Sequence, residues 1–362
     1  MRTPVGGLFR HVVDLATEQA KRGHMVGIIA DSTTGGTAAA QTLEEISPSL
    51  ALGFSRVPMS RQIGPQDRAA MRHVAERARE TNADILHGHG AKGGAYARLV
   101  GGRTLKAYTP HGGSLHYSAA TPTGLAYLAI ERWLRRRTDL VLFESEFGEH
   151  TYQRKIGTPR CARVVHNGVT QDDLKPVTPD EDAADFIYVG EMRRLKGVET
   201  LLDALARLSA EGWNGEAALY GDGPDRADFE ARAGRLGLLP QVHFPGATPA
   251  RAAFATGHVL IVPSWAESLP YIVLEAAAAS VRMVATRVGG IPEIFGPDAG
   301  ALVPPEDVQA LADAIKHARS EDDPAAIERL RERIASSFTV EHMTDGVLAA
   351  YADARAARAV SG

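Results

Sequence analysis

The stretch GHVLIVPSWAESLPYIVLEAAAA, residues 257–279, predicts a buried strand followed by a short loop and a helix. Ser268 is a suitable N-cap, and Pro270 is tolerated in the first turn, where its missing amide hydrogen is not needed. The apolar residues that follow favour continued helix. A strand that leads through a polar loop into a helix is the repeating unit of an α/β fold.

Two carboxylates flank the predicted start of this helix. Glu267 lies just before it and Glu275 lies inside it, and eight residues of helical rise separate them by about 12 Å along the axis. That separation is too long for one shared proton, but it suits the two ends of a long ligand. The backbone amides of the first turn, including those of Leu269, Tyr271 and Ile272, form a positive pole suited to phosphate. The alternative interpretation is an acidic first turn followed by a surface glutamate.

Length and composition indicate a two-domain globular protein. The chain has 362 residues, which exceeds the usual size of one core. A hydrophobic content of 44% and a charged content of 23% are ordinary for a globular protein. A formal charge of -4 argues against a nucleic-acid binder that works by bulk charge. Cys161 is the single cysteine, which favours a reducing, cytoplasmic location. We find neither a signal-peptide pattern nor a run of about 18 apolar residues.

Short apolar runs alternate with helical patterns along the whole chain, as expected for βαβ units and parallel sheets. Helices are predicted at Leu8–Lys21, Asp67–Thr81, Leu125–Arg137 and Glu146–Ile156, and a final helical pattern covers Val340–Arg358. Ten segments are predicted to contain strands: MVGIIAD, ADILHGHG, TLKAYTPHG, DLVLFES and ARVVHNG in the first half, and DFIYVGE, EAALYGDG, QVHFPGA, GHVLIVPS and VRMVATRVGG in the second.

An acidic segment with two prolines interrupts this alternation. The sequence TQDDLKPVTPDEDAAD, residues 170–185, predicts a linker. We therefore predict an N-terminal Rossmann-like domain over residues 1–170, a linker over 171–184, a C-terminal domain over 185–338 and a terminal helix over 339–362. The sequence does not indicate which domain this helix packs against. A ligand cleft between the domains is expected, because ligands bind at the carboxyl ends of parallel strands.

Two further strand ends in the second half carry loops suited to phosphate. In VGEMRRLKGVE, residues 189–199, Arg193, Arg194 and Lys196 follow a strand and precede a helix, where cations can neutralise a leaving diphosphate. In LYGDGPDR, residues 219–226, Gly221 and Gly223 follow the next strand. Each loop alone has a simpler interpretation, a solvated basic turn or a tight glycine turn. Three such strand ends in succession favour a shared function.

Taken in order, these motifs resemble the donor-binding domain of retaining GT-B glycosyltransferases, especially family 4. The resemblance covers residues 186–293 and ends in the pattern Gly-Gly-x-Pro-Glu, and the E-x7-E motif of the family corresponds to Glu267 and Glu275. It implies the GT-B architecture, in which two Rossmann-like parallel-sheet domains face each other across a cleft. It also implies a nucleotide-diphosphate sugar as donor substrate and no cofactor.

The resemblance also implies roles for individual residues. Glu275 would hold the ribose hydroxyls, and Glu267 would face the donor sugar. Lys196 and the turn from Leu269 to Ile272 would hold the diphosphate, and Ser268 is assigned to donor binding. The chain departs from the family at Glu191, where an arginine commonly follows the strand glycine.

Either arginine of the basic cluster can supply the missing cation. We favour Arg193 as the catalytic cation and assign Arg194 to donor binding.

In the first half, the resemblance assigns Gly6 and Gly7 to the glycine-rich loop that approaches the phosphate or sugar. His111, in YTPHGG, follows a strand at the family position and would hydrogen-bond a donor-sugar hydroxyl or the departing phosphate. The alternative is an ordinary surface histidine.

A metal site is not predicted from these motifs. His87 and His89 share a strand face, but two ligands are too few and the sequence shows no third. The Asp-x-Asp pattern at Asp180 and Asp182 lies in the acidic linker rather than at a strand end. A metal-dependent GT-A mechanism is therefore unsupported.

These observations predict a metal-independent retaining transferase that moves a hexose-type sugar to a hydroxyl acceptor, in polysaccharide or glycolipid biosynthesis. Two alternatives stay open at this point. One is a nucleotide-sugar epimerase on the same fold, and the other is a nucleotide-sugar binding protein without turnover.

The segment LAYLAIERWLRRRTD, residues 125–139, combines Tyr127 and Trp133 with four arginines, at 132, 135, 136 and 137. This composition suits an interfacial helix on anionic lipid, at the inner face of the membrane. A lipid-linked glycan acceptor would follow from that interpretation. The alternative is a packed helix with a solvated basic end.

The beginning of the chain is short for this fold. Only MRTPV precedes Gly6 and Gly7, and in Rossmann order the strand before the glycine-rich loop lies in the middle of the sheet. Either the neighbouring strands close the gap, or the domain is loosened, or the coding frame continues upstream. We expect the third, with several mostly apolar residues.

Overall fold

Parallel strands connected by helices form two units in the computed structural model, which describes residues 1–62, 64–113, 120–320 and 323–361. The first unit comprises residues 1–168 together with the segment from Val340 onward, and the second comprises residues 169–339. The expected α/β architecture with two parallel-sheet domains is confirmed. The C-terminal helical segment belongs to the first unit.

The first unit contains two parallel sheets. One consists of β1 (Ile28–Asp31) and β2 (Phe54–Val57), and the other has the order β3 (Ile85–His89), β4 (Leu105–Thr109), β5 (Leu140–Phe143) and β6 (Ala162–Val164). Seven helices belong to this unit: α1 (Gly6–Lys21), α2 (Gly36–Ile46), α3 (Gln66–Glu80), α4 (Gly90–Leu99), α5 (Pro122–Arg135), α6 (Glu146–Lys155) and α14 (Val340–Ser361).

A cavity separates the two sheets of the first unit. It has a volume of about 540 Å³, and residues 25–29 of the β1 segment and all five residues of β3 line it. The neighbouring strands therefore do not close the gap. Met1 lies at one end, where its amino group donates to the Ile29 carbonyl at 2.7 Å and its carbonyl accepts from the Asp31 amide at 3.1 Å. Met1 is thus paired with β1 in the manner of a parallel strand.

The second unit has one five-stranded parallel sheet in the order β11 (Met283–Ala285), β10 (Gly257–Val262), β7 (Ala184–Val189), β8 (Ala217–Tyr220) and β9 (Val242–Gly246). Its helices are α7 (Val198–Ala210), α8 (Arg226–Arg235), α9 (Ala250–Ala255), α10 (Tyr271–Ala278), α11 (Ile291–Phe295), α12 (Val308–Ser320) and α13 (Pro324–Ser337). The strand order reverses between β7 and β10, so the switch point of this sheet lies between them.

Alternating residues of the second sheet pack into two apolar clusters. Ile187 and Leu260 pack on the side of α10, whereas Phe186 and Val259 pack on the side of α7. Burial on both faces explains why these strands read as continuous apolar runs in the sequence.

The structure adds one strand that the sequence pattern did not predict. β2 has the sequence FSRV, and all four residues are only half-buried, so it lacks the apolar run of a buried strand. Among the described residues, no helix is both long enough and apolar enough to cross a membrane.

Candidate active site

The loops that follow β7 and β10 meet at the switch point of the second sheet. Gly197 has a φ of +71°, and a Cβ atom there would lie 1.8 Å from the Pro263 carbonyl oxygen. The Trp265 amide donates to the Leu195 carbonyl at 2.8 Å. Only glycine permits this approach, and the approach places the basic loop against the segment that carries Glu267.

Lys196 and Glu267 form the central contact of this region. The Lys196 ammonium lies 2.8 Å and 2.9 Å from the two carboxylate oxygens of Glu267, whose side chain is only 8% exposed. The Ser264 hydroxyl donates to the same carboxylate at 2.7 Å. A buried carboxylate needs such partners, and the pair holds a cation at the carboxyl edge of the sheet.

The two arginines of the basic loop have different partners. Arg193 contacts Glu191 at 2.7 Å, so the acid that departs from the family pattern pairs with the arginine that we favoured. Arg194 bonds Glu199 at 3.0 Å, and its side chain is 70% exposed. The Arg193 Nε atom is buried without a hydrogen-bond partner in the described part of the chain. Their roles toward a diphosphate stay predictions.

The helix after Glu267 begins later than the sequence pattern predicts. Pro270 is the residue at the N-cap, with extended φ and ψ of -73° and 126°, and α10 starts at Tyr271. The prediction that Ser268 is the N-cap is therefore wrong. Proline disfavours helical backbone in the residue before it, which keeps Leu269 out of the helix. Leu269 is buried at 3% exposure, and Tyr271 and Ile272 form the first turn.

Glu275 lies in α10, where its side chain is half-buried. The sequence prediction that Glu275 is inside the helix and Glu267 is outside is therefore confirmed. The two acids lie on either side of the N-terminus of α10, whose amide groups carry partial positive charge.

A supporting contact involves the Gly-Gly-x-Pro-Glu motif, to which we assigned no role. A Cβ atom on Gly289, whose φ is +56°, would lie 2.1 Å from the Glu267 carbonyl oxygen. The Gly290 amide donates to the Ser268 carbonyl at 2.7 Å. The motif therefore fixes the backbone of the Glu267 loop.

Gly221 and Gly223 serve packing in this structure. A Cβ atom on Gly221 would lie 1.8 Å from the Gly190 carbonyl oxygen, and one on Gly223 would lie 2.4 Å from the Met192 carbonyl oxygen. They let the loop after β8 pack against the loop after β7. Direct contact with a donor stays a prediction for both.

The first unit gathers polar side chains at the carboxyl edge of its larger sheet. His89 ends β3, His111 follows β4, Glu144 follows β5 and Asn167 follows β6. His11 joins them from α1, since its Nδ1 lies 2.9 Å from the Asn167 Oδ1. Sequence reasoning found His111, but it missed His11, Glu144 and Asn167, because only the fold brings these positions together.

His111 is fixed by two hydrogen bonds. Its Nδ1 lies 2.8 Å from the Glu144 carboxylate, and its Nε2 lies 3.0 Å from Nδ1 of His89. Its φ of +50° is left-handed, a conformation that non-glycine residues adopt at some cost. His87 is held separately by the Tyr351 hydroxyl and the Thr109 hydroxyl, each at 2.8 Å.

Burial determines most of the electrostatics of this cluster. It lowers the pKa of His11 to about 4 and the pKa values of His87 and His89 well below the ordinary value. Burial alone would raise the pKa of Glu144, but the charge and hydrogen bond of His111 hold that pKa at about 2. Glu144 is therefore ionised at neutral pH, and the rings of His11, His87 and His89 are neutral.

The first glycine of α1 has room around it. Gly6 has a φ of +62°, and a Cβ atom there would meet nothing within 4 Å. Gly6 and Gly7 begin the helix that carries His11. Their predicted contact with donor phosphate or sugar stays a prediction.

Three histidines of the cluster have the geometry to hold a metal ion. One ring nitrogen from each of His11, His89 and His111 lies within 4.8 Å of the others. The sequence pattern placed only His87 and His89 together and predicted no metal site. In the structure, His89 lies near His11 and His111, whereas His87 is hydrogen-bonded to Tyr351 and Thr109.

Two family models match the chain. Residues 5–173 match "Glycosyltransferase Family 4", and residues 183–321 match "Glycosyl transferases group 1". Together they account for most of both units.

Curated relatives of the chain include two glycosyltransferases and one synthase. The chain is 25% identical over 65% of its length to phosphatidylinositol N-acetylglucosaminyltransferase gpi3 subunit of Schizosaccharomyces pombe and spans 53% of that protein. It is 30% identical over 62% of its length to 2-deoxystreptamine glucosyltransferase of Streptomyces kanamyceticus and spans 62% of it. It is 26% identical over 96% of its length to N-acetyl-alpha-D-glucosaminyl L-malate synthase of Bacillus anthracis and spans 94% of it. The chain thus spans less than two thirds of the length of the first two relatives.

Solved structures share the fold at low sequence identity. Sucrose-phosphate synthase from Thermosynechococcus elongatus matches with a TM-score of 0.82 and 21% identity, over 98% of this chain and 95% of that one. Anabaena HepE in complex with UDP and glucose matches with a TM-score of 0.79 and 18% identity, over 97% of each chain.

Proposed function

The chain belongs to glycosyltransferase family 4 and to the glycosyl transferases group 1, and on that premise we propose that it transfers a hexose-type sugar from a nucleoside diphosphate to a hydroxyl group. Transfer retains the configuration at the anomeric carbon and needs no metal ion on the diphosphate. The observation that carries the proposal is the Lys196–Glu267 pair at the switch point, beside the N-terminus of α10.

The leaving group creates the main catalytic demand. The bond between the anomeric carbon and the phosphate oxygen breaks, and its electron pair goes to the diphosphate. The acceptor oxygen forms the new bond on the same face of the sugar and gives its proton to the departing phosphate oxygen. Preorganised positive charge near that oxygen lowers the barrier.

Lys196 and the amides of α10 supply that charge in the proposed mechanism. An ammonium group has three N–H donors, and two directions are used by the oxygens of Glu267. The third remains for a phosphate oxygen. Glu267 therefore positions the cation and, on the donor side, faces the sugar. The Tyr271 and Ile272 end of α10 holds the diphosphate.

The other donor contacts follow from the family pattern. Glu275 accepts hydrogen bonds from the ribose hydroxyls, one turn further along α10. His111, whose Nδ1 is fixed by Glu144, hydrogen-bonds the donor sugar. Arg193 and Arg194 add positive charge at the same loop.

Relatives guide the choice of substrates. HepE has been solved with UDP and glucose, so we propose a uridine donor as the first candidate. The relatives are named for acceptors as different as phosphatidylinositol, 2-deoxystreptamine and L-malate. A hydroxyl group is the feature that an acceptor of this chain would share with them.

We also propose contact with an anionic membrane through α5 and the residues that follow it. Leu125 and Trp133 are 51% and 46% exposed. Arg136 and Arg137 are also exposed, and the Arg137 guanidinium lies 4.6 Å from the centre of the Trp133 ring. Apolar and cationic side chains on one exposed segment suit a lipid surface. A lipid-linked glycan is then the proposed acceptor.

The test is a transfer assay with the full chain. Nucleotide hexoses are incubated with a panel of alcohols and lipid-linked sugars, with and without a chelator, and products are examined by NMR. We expect nucleoside diphosphate release that requires acceptor, an unchanged anomeric configuration and no inhibition by the chelator. Isomerised donor without acceptor would indicate an epimerase. Donor binding without turnover would indicate a binding protein, an inverted product would exclude retention, and inhibition by the chelator would exclude metal independence.

A further inference from the structure

We propose that His11, His89 and His111 form a binding site for one divalent transition-metal ion such as Zn²⁺, within the first unit. Nδ1 of His11 contacts Asn167, and Nδ1 of His111 contacts Glu144. His89 is hydrogen-bonded to Nε2 of His111. Nothing in the proposed transfer reaction uses a metal at this position.

The three rings are near enough to share one ion. Their ligand nitrogens lie within 4.8 Å of one another, and Nδ1 of His89 is 3.0 Å from Nε2 of His111. Tetrahedral zinc with bonds of about 2.0–2.1 Å places its nitrogen ligands about 3.3 Å apart. The 4.8 Å limit exceeds this tetrahedral separation by roughly 1.5 Å, a difference that side-chain rotation can close.

Outer partners already orient two of the ligands. A carboxylate oxygen accepts, so Nδ1 of His111 donates to Glu144 and Nε2 is the ring nitrogen left to bind an ion. Asn167 Oδ1 fixes His11 in the same way. A carboxylate or carbonyl oxygen behind a histidine is the usual support of a metal ligand.

His11 supplies an independent observation. Its ring is 3% exposed, and its Nε2 is buried without a hydrogen-bond partner in the described residues. A buried lone pair without a partner is costly. An ion between the three rings would satisfy it and would replace the hydrogen bond between His89 and His111.

The ligand set selects the kind of ion. Neutral imidazoles suit zinc, cobalt, nickel and copper, whereas magnesium and calcium prefer oxygen ligands. The Glu144 carboxyl group lies behind the site, against His111. His87 is not a ligand, because both of its nitrogens are hydrogen-bonded elsewhere.

Bound metal would inhibit transfer, and this consequence rests on the proposed function. His111 cannot give its Nε2 both to an ion and to a donor sugar. Metal binding itself is measured without turnover, so failure of the site and failure of the proposed function are distinguishable.

The test uses the full chain without a histidine tag, first stripped with a chelator. Zn²⁺ is titrated against a chromogenic zinc indicator, and Co²⁺ is followed by visible absorption, which reports tetrahedral nitrogen coordination. We expect one equivalent of tightly bound metal. His11→Gln and His89→Gln should each weaken binding at least about tenfold, and Glu144→Gln about 10- to 100-fold.

His258→Ala is the matched control, because His258 is an exposed histidine of the second unit; it should bind metal like the wild type. Circular dichroism verifies that each variant is folded. If His11→Gln does not fold, Glu144→Gln and the Co²⁺ spectrum of the wild type still decide. Wild-type affinity no greater than that of the folded variants, or an octahedral Co²⁺ spectrum, would overturn the proposal.

Discussion

Lys196 and Glu267 make one contact but have separable roles. Lys196→Ala removes the cation that faces the leaving group, so we expect turnover to fall by about 100-fold or more and the affinity for free nucleoside diphosphate to fall as well. Glu267→Ala frees the ammonium from its carboxylate. It should reduce turnover strongly while leaving diphosphate affinity unchanged or higher. Steady-state kinetics and calorimetry measure the two effects.

The matched control is Lys175→Ala, because Lys175 is a 70% exposed lysine of the same unit whose partner is Asp172. It should behave like the wild type in both measurements. Wild-type turnover in both the Lys196 and Glu267 variants would show that the site lies elsewhere.

The sequence predicted the two acids and the lysine as site residues, because each lies in a motif that follows a single strand. That strand is β10 for Glu267 and Glu275 and β7 for Lys196. The sequence did not predict that Glu191 pairs with Arg193, since a short contact between two exposed side chains depends on rotamers. It also did not predict the cluster of His11, Glu144 and Asn167. Those residues are far apart in sequence, and only the parallel sheet brings them together.

The loops of the second unit depend on glycines that have no room for a side chain. Gly197→Ala would place Cβ 1.8 Å from the Pro263 carbonyl oxygen and would also strain a φ of +71°. We expect the loop to move and the Lys196–Glu267 contact to be lost. Donor affinity should drop while circular dichroism still shows a folded α/β protein.

Gly300→Ala is the control for this substitution. A Cβ atom at Gly300 meets nothing within 4 Å, so that variant should keep wild-type donor affinity. Equal donor affinity in the Gly197 and Gly300 variants would contradict the packing argument.

Apolar side chains line the cavity between β1 and β3 on two sides. Leu15 and Tyr351 line it from one set of helices, and Val74 and Ala97 line it from another. Five mostly apolar residues joined ahead of Met1 should pair with both edges. Burial of each Val or Ile gains about 1.5–3 kcal/mol, against about 1–2 kcal/mol per ordered residue. We expect a net gain of a few kcal/mol in the free energy of unfolding.

A denaturant melt measures that gain, and donor turnover should rise with it. An extension of the same length with alternating prolines is the control, because proline cannot donate to the ladder. Equal melting of the two extended chains and the wild type would show that the cavity does not take a strand.

Many elements were predictable, because strands such as β5 and β8 are apolar runs and helices such as α1 have a periodic pattern. Two helices of the first unit, α2 and the glycine-rich α4, were not predicted. β2 was missed, since Ser55 and Arg56 break that pattern. The start of α10 was misplaced by two residues, because a good N-cap residue at Ser268 competes with the backbone restriction that Pro270 imposes. The packing of α14 against α1 could not be predicted, because a helix that follows the last strand can return to either half.

Membrane contact concerns the whole molecule. Arg132 and Arg135 bond the carbonyls of Lys155 and Thr158, so they are structural, whereas Arg136 is exposed. Reversing the charge of Arg136 and Arg137 should abolish sedimentation with anionic vesicles at low salt.

Arg68 and Arg72 are exposed arginines on α3 of the same unit, and their charge reversal is the matched control. The control should still bind vesicles. No binding by the wild type, or equal binding by both variants, would remove the membrane proposal.

The most direct test of the central claim is calorimetric titration of a nucleoside diphosphate and its 2′,3′-dideoxy analogue into the full chain. The base is the one that binds most tightly in a panel. We predict one site in the wild type, with the ribose hydroxyls contributing about 1.5–3 kcal/mol, or about 10- to 150-fold in affinity. In Glu275→Ala this preference should disappear, and in Glu332→Ala, an exposed acid on α13, it should persist. An undiminished preference in the folded Glu275→Ala variant, or no binding by the wild type, would contradict the account.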